Sequence, residues 1–138
     1  MNWSKKKKVY TFMCLDLPHI GHINFLKEAK KLGDILIVGI LTDDVIQSYK
    51  RKPVMSFAER IQIAESIRYI DIAIEQHSLD PTYLLKEFNP DVLCHGDDWT
   101  YIPGSDWMKN HKKEVKFIPY YPHQSTSKLI KKILEEFK

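Results

Sequence analysis

Cysteine is scarce in this chain of 138 residues, which contains only Cys14 and Cys94. Both cysteines fall in apolar segments with the pattern of strands, where a small buried thiol is more typical than a disulfide pair. Two cysteines alone are also too few for a structural zinc site. We therefore expect one compact domain, residues 1–138, that is stabilised by an apolar core.

Long apolar runs are also missing, since none approaches the roughly 20 residues needed to cross a bilayer. The basic N-terminus, MNWSKKKKVY, is not followed by an apolar stretch of signal-peptide length, because His19 and His22 interrupt the next segment. These absences predict a cytoplasmic protein with no membrane partner.

Dense charge of one sign occurs only at Lys5–Lys8, and the net charge of +3 is small. A nucleic-acid surface would repeat such a cluster and interleave it with aromatic side chains on one face. We therefore expect a solvated basic terminus and no nucleic-acid partner. Hydrophobic residues at 43% and charged residues at 28% are ordinary values for a globular protein.

Short apolar runs alternate with longer amphipathic segments along the chain. The alternation predicts an α/β fold with a Rossmann-like, doubly wound, parallel sheet of five strands. Ser56 and Glu59 have the spacing of a capping box at a helix start. The predicted strands are 8–15, 34–41, 71–75, 90–96 and 115–121. The predicted helices are 19–32, 57–70, 81–88 and 127–137, the last of them capped by Ser125 and Thr126. Segment 42–55 is predicted to be a loop, and 97–114 a loop with at most one helix.

Ligands bind at the carboxyl ends of the strands in such sheets, and the segment after the first strand reads DLPHIGH. His19 and His22, three residues apart, project from one side of a first helical turn. The free N–H groups and partial positive charge of a helix N-terminus attract phosphate, and Gly21 removes a side chain that would keep phosphate from the backbone. This pattern favours a phosphate site in which two imidazoles donate hydrogen bonds.

Two other interpretations of the histidine pair remain open from the residues alone. The pair could be ordinary histidines at a helix start. It could instead be part of a metal site, with His95 after the fourth strand as the third ligand.

The segment PHIGH resembles the H-x-G-H signature of the nucleotidyltransferase superfamily. Four further segments, in compatible order and spacing, resemble the small cytidylyltransferases similar to glycerol-3-phosphate cytidylyltransferase: GILTDD, SFAERIQIAESIRYID, HGDDW and STSKLI. The resemblance runs from about Val9 to the C-terminus. It implies transfer of CMP from CTP to a small phosphate or phosphonate, with release of pyrophosphate, by a homodimer.

Several positions depart from the family pattern. Met13-Cys14-Leu15-Asp16 stands where the family has G-T-F-D, and Tyr120 and His123 replace the Arg and Gly of R-T-x-G-I-S-T-T. Four features are more similar to the phosphonate-associated branch, which resembles 2-aminoethylphosphonate cytidylyltransferase: the altered segment Met13–Asp16, the segments SYKRKPVMSF and HGDDW, and Tyr120. That acceptor is therefore favoured over glycerol 3-phosphate, phosphocholine and phosphoethanolamine.

The resemblance implies roles for individual residues. It implies catalytic contacts with phosphate for His19, His22, Lys50 and Arg68, and acceptor binding for Lys52. It implies nucleotide binding by Cys14, Leu15, Gly21, Asp98, Trp99, Ser125, Thr126 and Ser127. Mg²⁺ is expected to accompany CTP, with Asp16 as an outer-sphere partner and no ligand fixed by the sequence.

Two alternative functions stay open. The chain could be an adenylyltransferase of the same superfamily, although GDDW and RYID favour CTP. It could also be a nucleotide-binding sensor without turnover, since one arginine and one glycine of the last motif are missing.

Overall fold

The structure is a computed structural model that describes residues 5–137, so the first four residues of the basic N-terminus lie outside it. No helix in this range is long and apolar enough to reach across a bilayer. The elements are β1 (Lys8–Met13), α1 (Ile20–Lys30), β2 (Ile35–Leu41), α2 (Asp43–Gln47), α3 (Phe57–Glu65), β3 (Ile72–Gln76), α4 (Thr82–Phe88), β4 (Val92–Gly96), α5 (Ser105–Asn110), β5 (Glu114–Ile118) and α6 (Thr126–Glu136).

The five strands form one sheet in the order β3-β2-β1-β4-β5. Every adjacent pair is parallel. The predicted Rossmann-like five-stranded parallel sheet is thus confirmed. All seven residues of the interior strand β2 are buried. A strand of a parallel sheet that is covered on both faces is buried on both sides, which explains the continuous apolar run.

The strands predicted over 8–15 and 115–121 are shorter than predicted, because they end at Met13 and Ile118. Two other predictions differ more from the structure. The segment predicted as a loop at 42–55 contains the short helix α2, whose first turn carries Asp43 and Asp44 and which buries Val45 and Ile46. Acidic side chains stabilise a first turn through the helix dipole, and burial of two aliphatic side chains holds the turn against the core. The helix predicted over 57–70 ends at Glu65, because residues 66–70 turn the chain into the edge strand β3.

β1 and β4 pair over only part of their lengths, which leaves room for a ligand at their carboxyl ends. β1 pairs with β2 along six residues but with β4 only at Val9–Val92 and Tyr10–Leu93. Chain order also reverses between these two strands, which makes them the switch point of the sheet. Beyond Tyr10 and Leu93 the ladder stops, and a crevice opens between the two carboxyl ends.

A buried arginine ties the edge of this crevice together. Arg60 of α3 is fully buried, and its guanidinium donates to the carbonyl oxygens of Cys14 at 2.7 Å, Leu41 at 2.8 Å and Met55 at 3.0 Å. It also pairs with the Asp43 carboxylate at 2.6 Å. One side chain therefore joins the end of β1, the end of β2, the start of α2 and the loop before α3.

We predict that Arg60→Ala lowers the free energy of unfolding by about 3 to 5 kcal/mol, because it leaves buried carbonyl groups and one carboxylate without their partner. Urea unfolding monitored by circular dichroism measures the change. Arg68→Ala is the matched control, since Arg68 is an exposed arginine just beyond the same helix. Equal midpoints for the two variants would contradict the structural role of Arg60.

Candidate active site

A cavity of about 520 Å³ lies at the carboxyl ends of β1 and β4. Its walls come from the segment after β1, the N-terminus of α1, the loop after α2, the segment after β4 and the N-terminus of α6. The cavity brings together most of the predicted site residues: Cys14, Leu15, His19, Gly21, His22, Lys50, Asp98, Trp99, Ser125, Thr126 and Ser127.

Two predicted site residues do not line the cavity. Arg68 is exposed, and its guanidinium donates to the hydroxyl of Tyr69 at 3.0 Å. Lys52 is also exposed, and the structure places its neighbour Arg51 in the cavity wall instead. The roles implied for Arg68 and Lys52 stay predictions that no contact with the cavity supports.

The two histidines cap α1 in a way that the sequence did not reveal. The Nδ1 atom of His19 accepts from the Gly21 N–H at 3.0 Å, and the Nδ1 atom of His22 accepts from the His19 N–H at 3.2 Å. This is a capping box made by imidazoles where serine and glutamate are usual. Because both Nδ1 lone pairs are occupied, each neutral ring carries its proton on Nε2.

Burial keeps this pair uncharged. It lowers the pKa of His22 to about 4, with further contributions from the His19 and Lys50 charges. Burial also lowers the pKa of His19. At neutral pH, each ring therefore offers an Nε2–H donor without a positive charge.

Gly21 makes this arrangement possible for a steric reason. A Cβ atom at position 21 would lie 2.7 Å from Cε1 and 3.0 Å from Nδ1 of His19. The His19 ring folds back over this glycine to reach the N–H group. Any larger residue would push the ring out of its capping position.

The backbone before α1 is strained around Asp16. Leu15 and Leu17 have φ values of 56° and 49°, in the left-handed region that non-glycine residues seldom adopt. The Thr126 hydroxyl at the start of α6 donates to the Asp16 carbonyl oxygen at 2.8 Å. Such strain persists only where surrounding contacts fix the chain, and it is concentrated at functional sites.

The Asp16 carboxylate fixes the basic loop, residues 48–56, which connects α2 to α3. It is 4% exposed and accepts from the N–H groups of Val54 and Met55, both at 2.9 Å, and from the Arg51 guanidinium at 3.0 Å. Burial acts to raise the pKa of Asp16, but these three donors together lower it below its usual value. Asp16 is therefore an ionised positioning group.

The residues of the cavity do not make a metal centre. Across residues 5–137, no three His, Cys, Asp or Glu side chains are grouped so that they could hold a metal ion. The alternative in which His95 joins His19 and His22 around a metal is therefore wrong. Both carboxylate oxygens of Asp16 already accept hydrogen bonds, so this residue does not fit as a Mg²⁺ ligand in this arrangement.

Aromatic side chains form another wall of the cavity. The ring centroids of His95 and Trp99 are 4.4 Å apart, those of Phe12 and His95 are 5.0 Å apart, and those of Tyr49 and Trp99 are 6.2 Å apart. Among residues 5–137, no group is placed to hydrogen-bond with the buried Nδ1 atom of His95. This wall can stack a planar ring.

The two cysteines differ from the prediction that both are buried. Cys94 in β4 is buried, which raises the pKa of its thiol to about 12. Cys14 is only half-buried, lies after β1 and lines the cavity. Its sulfur is 3.3 Å from the Tyr49 hydroxyl oxygen.

The start of α6 supplies a second helix N-terminus to the same cavity. Ser125 is its N-cap, as predicted, and its hydroxyl oxygen accepts from the Lys128 N–H at 3.1 Å. Ser127 also lines the cavity and is exposed. Since α1 begins on the cavity as well, two sets of free N–H groups act on the same volume.

Comparisons with known proteins agree with this geometry. The cytidylyltransferase-like family model matches residues 11–133, and the chain belongs to that family. The solved structure of a lipopolysaccharide core biosynthesis protein from Thermoplasma volcanium is similar, with a TM-score of 0.73, 26% identity, and coverage of 84% of this chain and 99% of the other.

Curated relatives share about a third of their aligned residues with this chain. The FAD synthase of Thermococcus sibiricus is 34% identical over 99% of both chains. The bifunctional protein HldE of Campylobacter fetus is 34% identical over 94% of this chain, which spans only 28% of the HldE length. The protein is thus related to nucleotidyltransferases, which are enzymes.

We predict that His22 makes the protein less stable in acid. Its pKa in the folded state, about 4, is below the ordinary 6.5, so folding is penalised as pH falls from 6.5 towards 4 and is unaffected above 6.5. Between pH 7 and pH 4, His22→Asn should lose about 3 kcal/mol less stability than the wild type, as measured by urea unfolding. Equal losses would show that His22 is not buried as a neutral ring.

Proposed function

We propose that this cytidylyltransferase-like protein transfers CMP from CTP to a small phosphonate or phosphate monoester and releases pyrophosphate, with a 2-aminoethylphosphonate-type acceptor favoured. The observation that carries the proposal is the convergence of two helix N-termini and two neutral Nε2–H donors on one cavity. Such donors suit a highly charged group that gains further negative charge during reaction.

The chemistry proposed for the site is an in-line substitution at the α-phosphorus of CTP. An ionised oxygen of the acceptor forms a bond to this phosphorus, the bond to the bridging oxygen of the β-phosphate breaks, and pyrophosphate leaves with the electron pair. The acceptor is already ionised at neutral pH, so no side chain must remove a proton. His19 and His22 stabilise charge on the α-phosphate oxygens, and the catalysis is positioning and electrostatics.

The walls of the cavity support a proposal for how the remaining parts of CTP bind. The β- and γ-phosphates would lie at the start of α6, where Ser127 and free N–H groups can bind them. The cytosine ring would stack in the aromatic wall beside Trp99. Asp98, which is exposed and lines the cavity, would accept from the cytosine amino group.

Cations on the basic loop would bind the acceptor. Lys50 and Arg51 both line the cavity, and Arg51 can replace the charge that is absent at Tyr120. A guanidinium can bind two phosphonate oxygens at once, which favours Arg51 for this contact. Because residues 5–137 contain no group of three side chains that could hold a metal ion, Mg²⁺ would be held mainly by the phosphates of CTP.

ATP is the second candidate donor. The observation in its favour is the FAD synthase relative, because FAD contains an adenylyl group and the two proteins align over 99% of each chain. Glycerol 3-phosphate, phosphocholine and phosphoethanolamine stay as alternative acceptors. A nucleotide-binding sensor without turnover is the alternative from another class.

The first test is His22→Ala in an assay of pyrophosphate release with CTP and 2-aminoethylphosphonate. Loss of one preorganised donor should lower turnover by about 10²–10³. His77→Ala is the control, because His77 is exposed, stacks on Tyr83 and does not line the cavity. Turnover near that of the wild type for His22→Ala would contradict the assignment of this ring.

The same assay with matched concentrations of CTP and ATP tests the donor. We expect higher turnover with CTP for the wild type, and the reverse order would replace the cytidylyl by the adenylyl proposal. Repeating it with the four acceptors tests the acceptor class. Tight CTP binding without release, across all acceptors, would favour the sensor.

A second prediction distinguishes the role of Arg51 from that of its neighbour Lys52 in the basic loop. Arg51→Ala should lower kcat/KM for the acceptor about 10- to 100-fold, which corresponds to loss of a charge-assisted hydrogen bond. Lys52→Ala is the matched control with the same change of charge, and it should have little effect because Lys52 does not line the cavity. A larger loss in Lys52→Ala would restore Lys52 as the acceptor residue.

A further inference from the structure

Tyr49 lines the cavity from the basic loop, where Lys50 and Arg51 follow it directly in the chain. Two contacts hold its side chain in place. The hydroxyl oxygen is 3.3 Å from the Cys14 sulfur, and the ring centroid is 6.2 Å from that of Trp99, with the two ring planes at 80°. Because Tyr49 is still 39% exposed, part of its ring can contact a ligand in the cavity.

An ammonium group of the protein already contacts this ring. The Nζ atom of Lys50 lies over the Tyr49 ring, 5.6 Å from its centroid. A cation at this distance is attracted by the negative electrostatic potential of an aromatic face. The Tyr49 ring is therefore a group that binds a positively charged nitrogen, and it does so inside the cavity.

The carboxylates of the cavity leave no competing cation site on the basic loop. Among residues 5–137, the acidic side chains that line the cavity are Asp16 and Asp98. Both oxygens of Asp16 already accept hydrogen bonds from the loop itself. Asp98 follows β4, in the segment that the proposed function gives to cytosine. Beside Arg51, the group suited to a cation is thus the aromatic ring of Tyr49.

We propose that Tyr49 binds the positively charged amino group of the acceptor by a cation–π contact. The protein then selects a phosphonate or phosphate that a short chain joins to an ammonium group. This role of Tyr49 rests on the proposed function, in which Arg51 binds the phosphonate of the acceptor. Tyr49 and Arg51 are two positions apart in one loop and line the same cavity, so together they match the two opposite charges of such an acceptor.

Lys50 does not block this contact once substrates are bound. Its side chain is exposed, and it forms no ion pair with a carboxylate of residues 5–137. A charge-assisted hydrogen bond to a phosphate oxygen is stronger than a cation–π contact at an exposed site. We therefore expect Lys50 to move from the ring to the phosphate groups, which leaves the ring face to the acceptor.

A cation-binding ring divides the candidate acceptors into two groups. 2-Aminoethylphosphonate, phosphocholine and phosphoethanolamine carry a positively charged nitrogen, whereas glycerol 3-phosphate carries only hydroxyl groups at that end. The Tyr49 contact favours the first three compounds and contributes nothing to the fourth.

The sharpest test compares 2-aminoethylphosphonate with n-propylphosphonate, in which a methyl group replaces the ammonium group. In the assay of pyrophosphate release with CTP, the ratio of the two kcat/KM values measures the preference for the charged acceptor. We expect the wild type to prefer 2-aminoethylphosphonate. Tyr49→Leu should lower this ratio by about 5- to 30-fold, the range of a cation–π contact at a partly desolvated site.

Three further variants make the test specific to the ring. Tyr49→Phe keeps the ring without the hydroxyl and should keep the ratio. Asp98→Asn should also keep it, even where it lowers turnover through CTP. Tyr101→Leu is the matched control, because Tyr101 is an exposed tyrosine that does not line the cavity. General damage to the fold or to CTP binding affects both acceptors alike, so it leaves the ratio unchanged.

Titration calorimetry with the same two phosphonates measures the preference as a ratio of Kd values, without turnover. If no pyrophosphate is released but Tyr49→Leu loses the preference in binding, only the proposed function is contradicted. Three results would overturn the role of Tyr49 alone: equal use of both phosphonates by the wild type, an unchanged ratio in Tyr49→Leu, or a ratio that Tyr49→Phe or Asp98→Asn lowers as much as Tyr49→Leu. A wild type that neither releases pyrophosphate nor binds either phosphonate would overturn both.

Discussion

The geometry of the site depends on the buried guanidinium of Arg60. It donates to the carbonyl oxygen of Cys14, the first residue after β1, and to that of Leu41, the last residue of β2. Two strand ends that carry the functional loops are thus held at a fixed separation by one planar, permanently charged group. Asp16 extends this link to the loop that carries Arg51, and its carbonyl oxygen extends it to α6 through Thr126.

The orientation and protonation of the His19 and His22 rings depend on these contacts. A charged imidazole would bind phosphate in the ground state as well as in the transition state, whereas a neutral, oriented N–H responds mainly to charge that develops during reaction. The caps at Gly21 and His19 fix the tautomer, and burial keeps the rings neutral. The chain turns from β1 into α1 through Leu15 and Leu17, and their left-handed backbone conformations strain this connection.

The sequence predicted the order of strands and helices because apolar periodicity reports burial, and burial decides which segments form a parallel sheet. It predicted the capping box at Ser56 and the cap at Ser125, which depend on neighbours within three residues.

The sequence could not predict the short helix α2, which forms because Val45 and Ile46 are buried by distant residues. Nor could it show that Arg51 lines the cavity and Lys52 does not, since Asp16, which binds Arg51, is 35 residues away from it in the chain. His95 was visible as a strand-end residue, but only the fold shows that it belongs to the aromatic wall.

A crystal structure of the protein with CTP bound is the most direct test of the central claim. We expect oxygens of the α-phosphate to lie within hydrogen-bonding distance, about 3 Å, of Nε2 of both His19 and His22, with the other phosphates at the start of α6. A nucleotide bound elsewhere, or in the cavity with its phosphates directed away from these two rings, would contradict the account.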